Sequence, residues 1–345
     1  MRQSNFLLGL TAVLGISLFI AMFFVLPKPE TLTGTYFFPV HLPQAKDRAA
    51  VLPTPDDKDG LTISFVGDIM LGRSVEQAIV THGQSWPFAE LDNLFENSDF
   101  VVGNFESTIR AKRNIEVTNQ MTFDTTPDNL DILRQAGFTH LSLANNHADD
   151  YGSQVTTSTR ESIKTVGMIP FGDPTNSEQF ILRENIGGVS ISIIGFHAFG
   201  EKPDELLDTI KSEHEQGRFV IIYPHWGVEY ATTAPSVEIA PAKQFIAAGA
   251  DLIIGAHPHV IQNIEVIDGV PVIYSLGNFL FDQDFSSETK RGLTLQVAIN
   301  DETVDIELKP IDIINRQTLP MDTVAAQKLF TELGLPDGQL SVPRK

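Results

Sequence analysis

Beyond position 60, short apolar runs alternate with stretches in which apolar residues recur at helical spacing. The apolar runs predict strands at Ile63–Val66, Phe100–Val102, His140–Leu143, Val189–Ile194, Phe219–Tyr223, Leu252–Ile254 and Val270–Tyr274. The intervening segments predict helices at Ser74–Val80, Pro127–Gln135, Ser153–Val166, Pro203–Gln216 and Pro235–Ala248. Alternation of this kind favours an α/β fold with helices outside the sheets.

The last part of the chain carries a different pattern. Leu293–Ile299 and Val304–Leu308 predict an antiparallel pair that turns at Asn300 and Asp301, and Met321–Leu333 predicts a final helix. We therefore expect one domain over residues 61–315, followed by a C-terminal extension over 316–345.

The N-terminus is apolar without interruption. No charged residue occurs from Phe6 to Leu26, and Pro27 and Pro29 follow. A membrane-spanning helix needs about 20 such residues, whereas a cleaved signal peptide usually has a shorter apolar core and a small-x-small site, which is not found here. We expect a single uncleaved anchor at 6–26 in the cell membrane, a cytoplasmic tip at 1–5, a tether at 27–60 and an extracytoplasmic domain. A cleaved signal and a buried helix are the alternatives.

Composition narrows the possible ligands. The formal net charge is −20, which disfavours nucleic acid as a partner and favours cations. The 345 residues include no cysteine, so any metal must be held by nitrogen and oxygen ligands.

Polar residues follow five of the predicted strands closely. They are Asp68, then Asn104 and Glu106, then Asn145, Asn146 and His147, then His225, and finally His257 and His259. Each has an ordinary structural interpretation alone, as a turn, a helix cap, a loop pair or a satisfied histidine. Because ligands of α/β sheets collect at the carboxyl ends of strands, the joint pattern predicts one site.

The residue types indicate which chemistry that site would support. Neutral imidazole with carboxylate and amide oxygen suits Mn, Fe or Zn. Such ions can hold an oxyanion and activate a water, and an imidazole outside the ligand set can protonate a leaving group.

Six blocks of sequence resemble the CapA-type poly-γ-glutamate capsule-biosynthesis proteins. They keep their order over roughly residues 61–285 and read FVGDIMLG at 65–72, GNFE at 103–106, LANNH at 143–147, PHWGVEY at 224–230, GAHPHVIQ at 255–262, and YSLGNF with FDQ at 274–283. The resemblance implies a calcineurin-like metallophosphatase fold, in which two packed mixed β-sheets are flanked by helices.

The resemblance also implies roles for individual residues. Met70 stands where that superfamily has a histidine ligand, Asn104 stands where it has a bridging aspartate, and Glu106 can supply the missing charge. His147 corresponds to the acid-like histidine and is the predicted catalytic residue. The predicted ligands of one or two divalent ions are Asp68, Asn104, Glu106, Asn146, His225, His257 and His259. The predicted substrate contacts are Asn145, Trp226, Glu229 and Asn278, although Trp226 could equally belong to the core.

Three functions remain open from the sequence. The first is a membrane-anchored component of poly-γ-glutamate or related capsule synthesis or export, acting on an anionic polymer and working with membrane subunits of a polymer synthase. The second is a metal-dependent phosphoesterase or other hydrolase of a small anionic substrate. The third is a non-catalytic scaffold with a decayed metal site.

Overall fold

The computed structural model describes residues 60–111, 121–173 and 180–345. The predicted tip, the anchor at 6–26 and the tether up to residue 59 lie outside these ranges. Within them, no helix is long and apolar enough to cross a membrane.

Helices and strands alternate through most of the described chain. The α-helices are α1 (Arg73–His82), α2 (Leu130–Ala136), α3 (Ser153–Thr165), α4 (Asp204–Glu215), α5 (Ser236–Ala248) and α6 (Thr323–Glu332). The strands are β1 (Leu61–Ile69), β2 (Phe100–Phe105), β3 (Thr108–Ile109), β4 (Asp124–Thr125), β5 (His140–Ser142), β6 (Ile169–Phe171), β7 (Ile181–Ile186), β8 (Val189–His197), β9 (Phe219–His225), β10 (Leu252–Ile254), β11 (Ile264–Ile267), β12 (Val270–Ile273), β13 (Asn278–Leu280), β14 (Arg291–Ile299), β15 (Thr303–Ile314), β16 (Gln317–Pro320) and β17 (Gln339–Pro343). This pattern confirms the predicted α/β class.

Two mixed sheets contain most of these strands. The nine-stranded sheet runs β16-β15-β14-β1-β2-β5-β6, with β13 also paired to β1 and β17 to β15. The six-stranded sheet runs β11-β12-β10-β9-β8-β7. In the first sheet β1, β2, β5 and β6 are parallel, and in the second β8, β9, β10 and β12 are parallel. The strands that carry the predicted site therefore run in a common direction within each sheet.

The two sheets pack face to face. One core cluster contains Phe65 of β1 and Leu295 of β14 together with Ile221 and Tyr223 of β9, so it lies between the sheets. On the other face of β9, Val220 and Ile222 pack with Phe245 of α5 in a separate cluster. An apolar run without alternation is expected for strands covered on both faces, and it explains why β9 was predictable.

Strand cores agree with the sequence-based prediction better than strand ends do. The antiparallel pair with its turn at Asn300 and Asp301 is confirmed by the pairing of Ile299 with Val304. β1 continues to Ile69 and β9 to His225, so Asp68 and His225 lie within strands and not after them. Both side chains are buried there among polar partners, a state that hydropathy alone does not indicate.

The residues after 315 add strands to the larger sheet. β16 and β17 both pair with β15, and Leu329 of α6 belongs to the core cluster between the sheets. This segment therefore packs on the same core as β1.

Candidate metal centre

The sheets bring the predicted residues together at one edge. Asp68 of β1 is in register with Asn104 of β2, and Asn104 is in register with Ser142 of β5. In the second sheet, His225 of β9 bridges to Ala256, directly before His257. The two edges meet where the backbone N–H of His257 donates to the Asp68 carboxylate at 3.2 Å. Parallel strand order thus creates the cluster from residues that are far apart in sequence.

Two carboxylates lie at the bottom of the cluster with no exposed surface. The Asn104 amide nitrogen donates to Asp68 Oδ1 at 2.7 Å and to Glu106 Oε1 at 3.0 Å. Glu106 Oε2 is buried and has no hydrogen-bond partner among the residues that the structure describes. A buried carboxylate oxygen without a donor is costly unless a cation satisfies it.

The pKa values of these two carboxyl groups are pushed apart. Burial, followed by the negative charge of Asp68, raises the pKa of Glu106 well above its ordinary range. For Asp68, burial alone would raise the pKa, but the hydrogen bond and charge of His259 outweigh it and lower the pKa overall. The ionised form is therefore favoured for Asp68 and disfavoured for Glu106.

His225 faces the carboxylates with one ring nitrogen and Asn146 and His257 with the other. Its Nδ1 lies 3.8 Å from Glu106 Oε1. His225 Nε2 lies 2.7 Å from Asn146 Oδ1 and 3.0 Å from His257 Nδ1. Burial, reinforced by neighbouring imidazoles, lowers the pKa of His225 well below its ordinary value and that of His257 to about 3. Both rings are therefore neutral near pH 7 and can present lone pairs to a metal ion.

The spacing of these donors fits metal ligation. Two atoms that each lie about 2.1 Å from one ion are about 3 Å apart if they subtend a right angle, and slightly farther apart in a tetrahedron. The ligand atoms of Asp68, Glu106 and His225 all lie within 4.8 Å of one another. With its unpartnered Glu106 oxygen and neutral imidazoles, the donor set fits a divalent cation.

His147 lies beside this group without entering it. Its Nδ1 is 3.0 Å from Asp150 Oδ2, its Nε2 is 3.2 Å from the Asn146 amide nitrogen, and its ring stacks on Phe123 at 3.8 Å between centroids. Three contacts of this kind fix the ring orientation, so Nε2 is held next to the candidate ligand Asn146.

The loop that carries the histidine pair has an unusual backbone. His257 and His259 adopt φ values of 98° and 59°. A residue with a Cβ atom rarely adopts such angles, and they cluster at functional sites where surrounding contacts impose them. Here the His257 N–H contact with Asp68 holds the first residue, and Asn278 Oδ1, 3.0 Å from His259 Nδ1, holds the second.

The part of the chain that carries these residues is similar to a family of known proteins. Residues 62–283 match the family model described as bacterial capsule synthesis protein PGA_cap. The chain belongs to the PGA_cap family. The matched range contains every residue of the cluster, and the predicted family resemblance is confirmed.

Named relatives show how far the similarity extends. The capsule biosynthesis protein CapA of Bacillus anthracis is 31% identical over 74% of this chain and 68% of its own length. The PGA biosynthesis protein CapA of Bacillus subtilis (strain 168) is 31% identical over 80% of this chain and 78% of its own length. A probable polyglutamine synthesis accessory protein of Mycobacterium tuberculosis is 23% identical over 66% of this chain and 76% of its own length.

Three predicted site residues of this PGA_cap protein make hydrogen bonds that position neighbouring side chains. The side-chain oxygen of Asn104, Oδ1, accepts a hydrogen bond from the Asn145 side-chain amide at 3.1 Å, so Asn104 turns its amide nitrogen, which is not a ligand, toward the carboxylates. Asn145 is buried and also accepts from the His147 backbone N–H. Asn278 is buried against His259 and donates to the Thr289 carbonyl. In this structure each of them positions a neighbour.

Trp226 and Glu229 occupy opposite environments. Trp226 is fully buried, donates to the Tyr274 carbonyl at 2.9 Å and stacks near Phe245 of α5. Its ring therefore has no surface with which to contact a substrate, and the predicted substrate contact is replaced by a core role. Glu229, in contrast, is exposed at the mouth of the cluster.

Two residues of the cluster were missed by sequence reasoning. Asp150 orients His147 from three positions away, and His197 ends β8 in register with His225, with ring centroids 6.2 Å apart. His197 meets the same strand-end criterion as the others. It was missed because β8 was predicted to end at Ile194.

Proposed function

We propose that this chain takes part in the synthesis or export of capsular poly-γ-glutamate through a divalent-metal centre at the shared edge of its two sheets. Membership of the PGA_cap family and the names of its CapA relatives support the biological role. The observation that carries the chemistry is the convergence of buried Asp68, Glu106 and His225 with their ligand atoms within 4.8 Å.

The donor set indicates which residues would hold the metal. They are Asp68, Glu106, Asn146, His225, His257 and His259, and their nitrogen and oxygen atoms suit Mn, Fe or Zn. A bound ion would supply charge to an anionic substrate group and lower the pKa of a coordinated water.

The chain's own residues supply the proton chemistry. Asp150 accepts a hydrogen bond from Nδ1 of His147 and stabilises the positive charge of that ring when Nε2 carries a proton. We therefore assign to His147 the transfer of its Nε2 proton to the leaving atom of the bond that water cleaves, the nitrogen of a γ-amide or the oxygen of a phosphoester, a step that typically contributes about 10²–10⁴-fold in rate.

The wider architecture supports a calcineurin-like metallophosphatase arrangement. The two mixed sheets pack face to face, as that arrangement requires. Phe245 of α5 packs on the outer face of the six-stranded sheet, and Ile163 of α3 packs on the outer face of the nine-stranded sheet. We further propose that residues 6–26 anchor the domain on the outer side of the cell membrane, near the synthase subunits that would supply polymer.

A small phosphoester is the second candidate substrate. The His147–Asp150 pair lies beside residues that can bind a metal, and it could serve the hydrolysis of a phosphoester as well as that of a γ-glutamyl amide bond. Purified full-length chain supplied with Mn²⁺ and then given γ-linked glutamate oligomers or an aryl phosphate separates the two. Turnover of the aryl phosphate alone would assign the protein to the second class.

Genetic replacement tests the biological role. In a poly-γ-glutamate-forming host that lacks its own CapA protein, we expect the wild-type chain and the surface variant Glu302→Gln to restore polymer. The His147→Ala variant should yield less than about a hundredth of that polymer. Full restoration by His147→Ala would contradict a chemical role and favour a scaffold, and no restoration by wild type would contradict the role in capsule formation.

A further inference from the structure

An arginine lies against the aromatic rings that border the candidate metal centre. The guanidinium carbon of Arg73, Cζ, lies 4.5 Å from the ring centroid of Phe123 and 5.7 Å from that of Phe281. Phe123 stacks on the ring of His147, and the ring centroids of Phe281 and His259 are 4.8 Å apart. One aromatic ring therefore separates the cation from the proposed proton donor, and another separates it from a proposed metal ligand.

The turn after β1 brings this arginine to the site through a close approach of two segments. Gly72 precedes it, and a Cβ atom there would lie 2.5 Å from the Asp124 carbonyl oxygen. Arg73 has a φ of 49°, a left-handed conformation that a residue with a Cβ atom rarely adopts. Such conformations cost free energy and persist where surrounding contacts impose them, often at functional sites. The backbone therefore holds Arg73 next to the segment that contains Phe123.

Asp282 fixes the head of the arginine side chain. One carboxylate oxygen pairs with Arg73 Nη2, and the other accepts from the Ser74 hydroxyl at 2.9 Å and from the Ser74 backbone N–H at 3.3 Å. The arginine side chain is 20% exposed and the aspartate side chain 10%. Because a guanidinium carries five N–H donors in one plane, its pairing with Asp282 is compatible with recognition of a second anion from the solvent side.

The acidic surroundings of the site give a cation at this position a clear use. Besides the two buried carboxylates, Asp150 lies beside His147, and Glu229 is exposed at the mouth. These charges would repel an anionic substrate, and a bound divalent ion would offset only part of them. The pKa of Tyr230 is raised to about 12 by burial and by Glu229, and the positive charge of Arg73 acts against that rise. The arginine therefore acts electrostatically at the same mouth.

We propose that Arg73 binds an anionic group of the substrate beside the metal centre. This inference rests on the proposed function, because it assigns the ligand of the same site. A guanidinium pairs with a carboxylate or a phosphate through two parallel N–H donors. In γ-linked polyglutamate the group is the α-carboxylate on the carbon that bears the amide nitrogen. Its pairing with Arg73 would place that nitrogen near Nε2 of His147.

Binding of two oligomers to the full-length chain tests the inference. One is a γ-linked glutamate oligomer, and the other has the same backbone with every carboxylate converted to an amide. The parent protein carries His147→Gln, which limits turnover, and it is supplied with Mn²⁺ and titrated calorimetrically. Adding Arg73→Gln should weaken binding of the anionic oligomer at least about 10-fold and leave the affinity for the amidated oligomer unchanged.

Arg316→Gln is the matched control. Arg316 donates to the Ser74 hydroxyl at 3.0 Å and pairs with Asp284, so its removal takes an arginine from the same turn while Arg73 stays. Its affinity for each oligomer should stay within about 2-fold of the parent. Arg73→Lys carries the test if Arg73→Gln does not fold. Lysine keeps the charge but lacks parallel donors, so affinity for the anionic oligomer should fall at least about 3-fold.

The outcomes separate this inference from the proposed function. Unchanged affinity of the Arg73 variants for the anionic oligomer, or an equal loss for both oligomers, would overturn the inference and leave the metal centre and the capsule role standing. A parent that binds an aryl phosphate instead, with the same loss in Arg73→Gln, would support the inference with phosphate as the anion. A parent that binds neither the oligomer nor the aryl phosphate would overturn both.

Discussion

Glu106 shows most clearly how a single residue departs from ordinary protein chemistry. Its carboxylate is fully buried, and within the described part of the chain one of its oxygens has no hydrogen-bond donor. Burial and the charge of Asp68 raise its pKa. The residue is therefore unfavourable to the metal-free fold at neutral pH, and a bound cation would remove that penalty.

Glu106→Gln is expected to affect stability and metal binding in opposite directions. A folded-state pKa above the ordinary value of 4.5 means that stability is fully present below that pH and is lost as pH rises through the folded pKa. Metal-free wild type should therefore lose more stability than the variant between pH 4.5 and the raised pKa, as measured by urea unfolding. The variant should bind Mn²⁺ at least about 10-fold more weakly. Equal pH dependence of the two proteins would contradict this account of Glu106.

His147 is expected to act on reaction rate and not on metal occupancy. Its ring contacts Asn146, Asp150 and Phe123 but is not one of the convergent ligand donors. His147→Ala should keep the wild-type metal content and lose about 10²–10⁴-fold in turnover. Asp150→Asn, which removes only the charge that orients the ring, should lose less. A His147 variant that loses the metal would make this residue a ligand.

The sequence alone predicted which residues lie together in the candidate metal centre, but it did not predict the role of each one. Asp68, His225, His257 and His259 were found because polar residues near strand ends are conspicuous. The roles of Asn104 and Asn145 could not be predicted, because they depend on which end of a side-chain amide faces the carboxylates. That orientation is set by contacts between strands.

At the scale of the elements, a hydrogen bond between β1 and β9 connects the two sheets. The Tyr223 hydroxyl of β9 donates a hydrogen bond to the Val66 carbonyl of β1, close to the register shift between Phe65 and Asp68. At a shift of this kind a backbone carbonyl lacks its usual ladder partner. The tyrosine satisfies it from the opposite sheet and so fixes the position of Asp68.

Tyr223→Phe should therefore weaken the fold by removing one buried donor. The Val66 carbonyl would be left unsatisfied, at a cost of about 1–3 kcal/mol in the free energy of unfolding. Urea unfolding of the metal-free protein measures this, with Tyr230→Phe at the exposed rim as the control, expected within about 0.5 kcal/mol of wild type. Equal stability of all three proteins would show that the sheets are not joined by this bond.

Strand cores were predictable, whereas edge strands and strand ends were not. β10 and the part of β9 up to Tyr223 are apolar without alternation because both faces are covered. β7 and β17 lie at sheet edges with several exposed positions, so their hydropathy resembles that of loops. β13 is short and begins at Asn278, a residue that sequence statistics assign to turns.

For the whole molecule, the cluster depends on how the two sheets are packed together. Asp68 and Glu106 come from one sheet and His225 from the other. The sequence predicted that the strands of each sheet would end in polar residues, but nothing local specifies the packing of one sheet on the other. The blocks that resemble CapA-type proteins supplied that expectation.

The N-terminal anchor is a prediction at this scale. The uninterrupted apolar run at 6–26 should keep the protein in the membrane fraction with its N-terminus intact, because it is long enough to span the bilayer. N-terminal sequencing of the membrane-bound protein, together with protease treatment of intact protoplasts, measures both attachment and sidedness. A mature N-terminus near residue 30, or a domain protected from the protease, would contradict the proposed topology.

The central claim is that residues from five strand ends form a divalent-metal centre. The most direct measurement is the metal content of the full-length chain, purified, supplied with Mn²⁺ and freed of excess ions, in parallel with His225→Gln. The account predicts at least one ion per wild-type chain and less than about a tenth of that content in the variant. Wild-type protein that retains no stoichiometric metal, or a variant that retains as much as wild type, would contradict it.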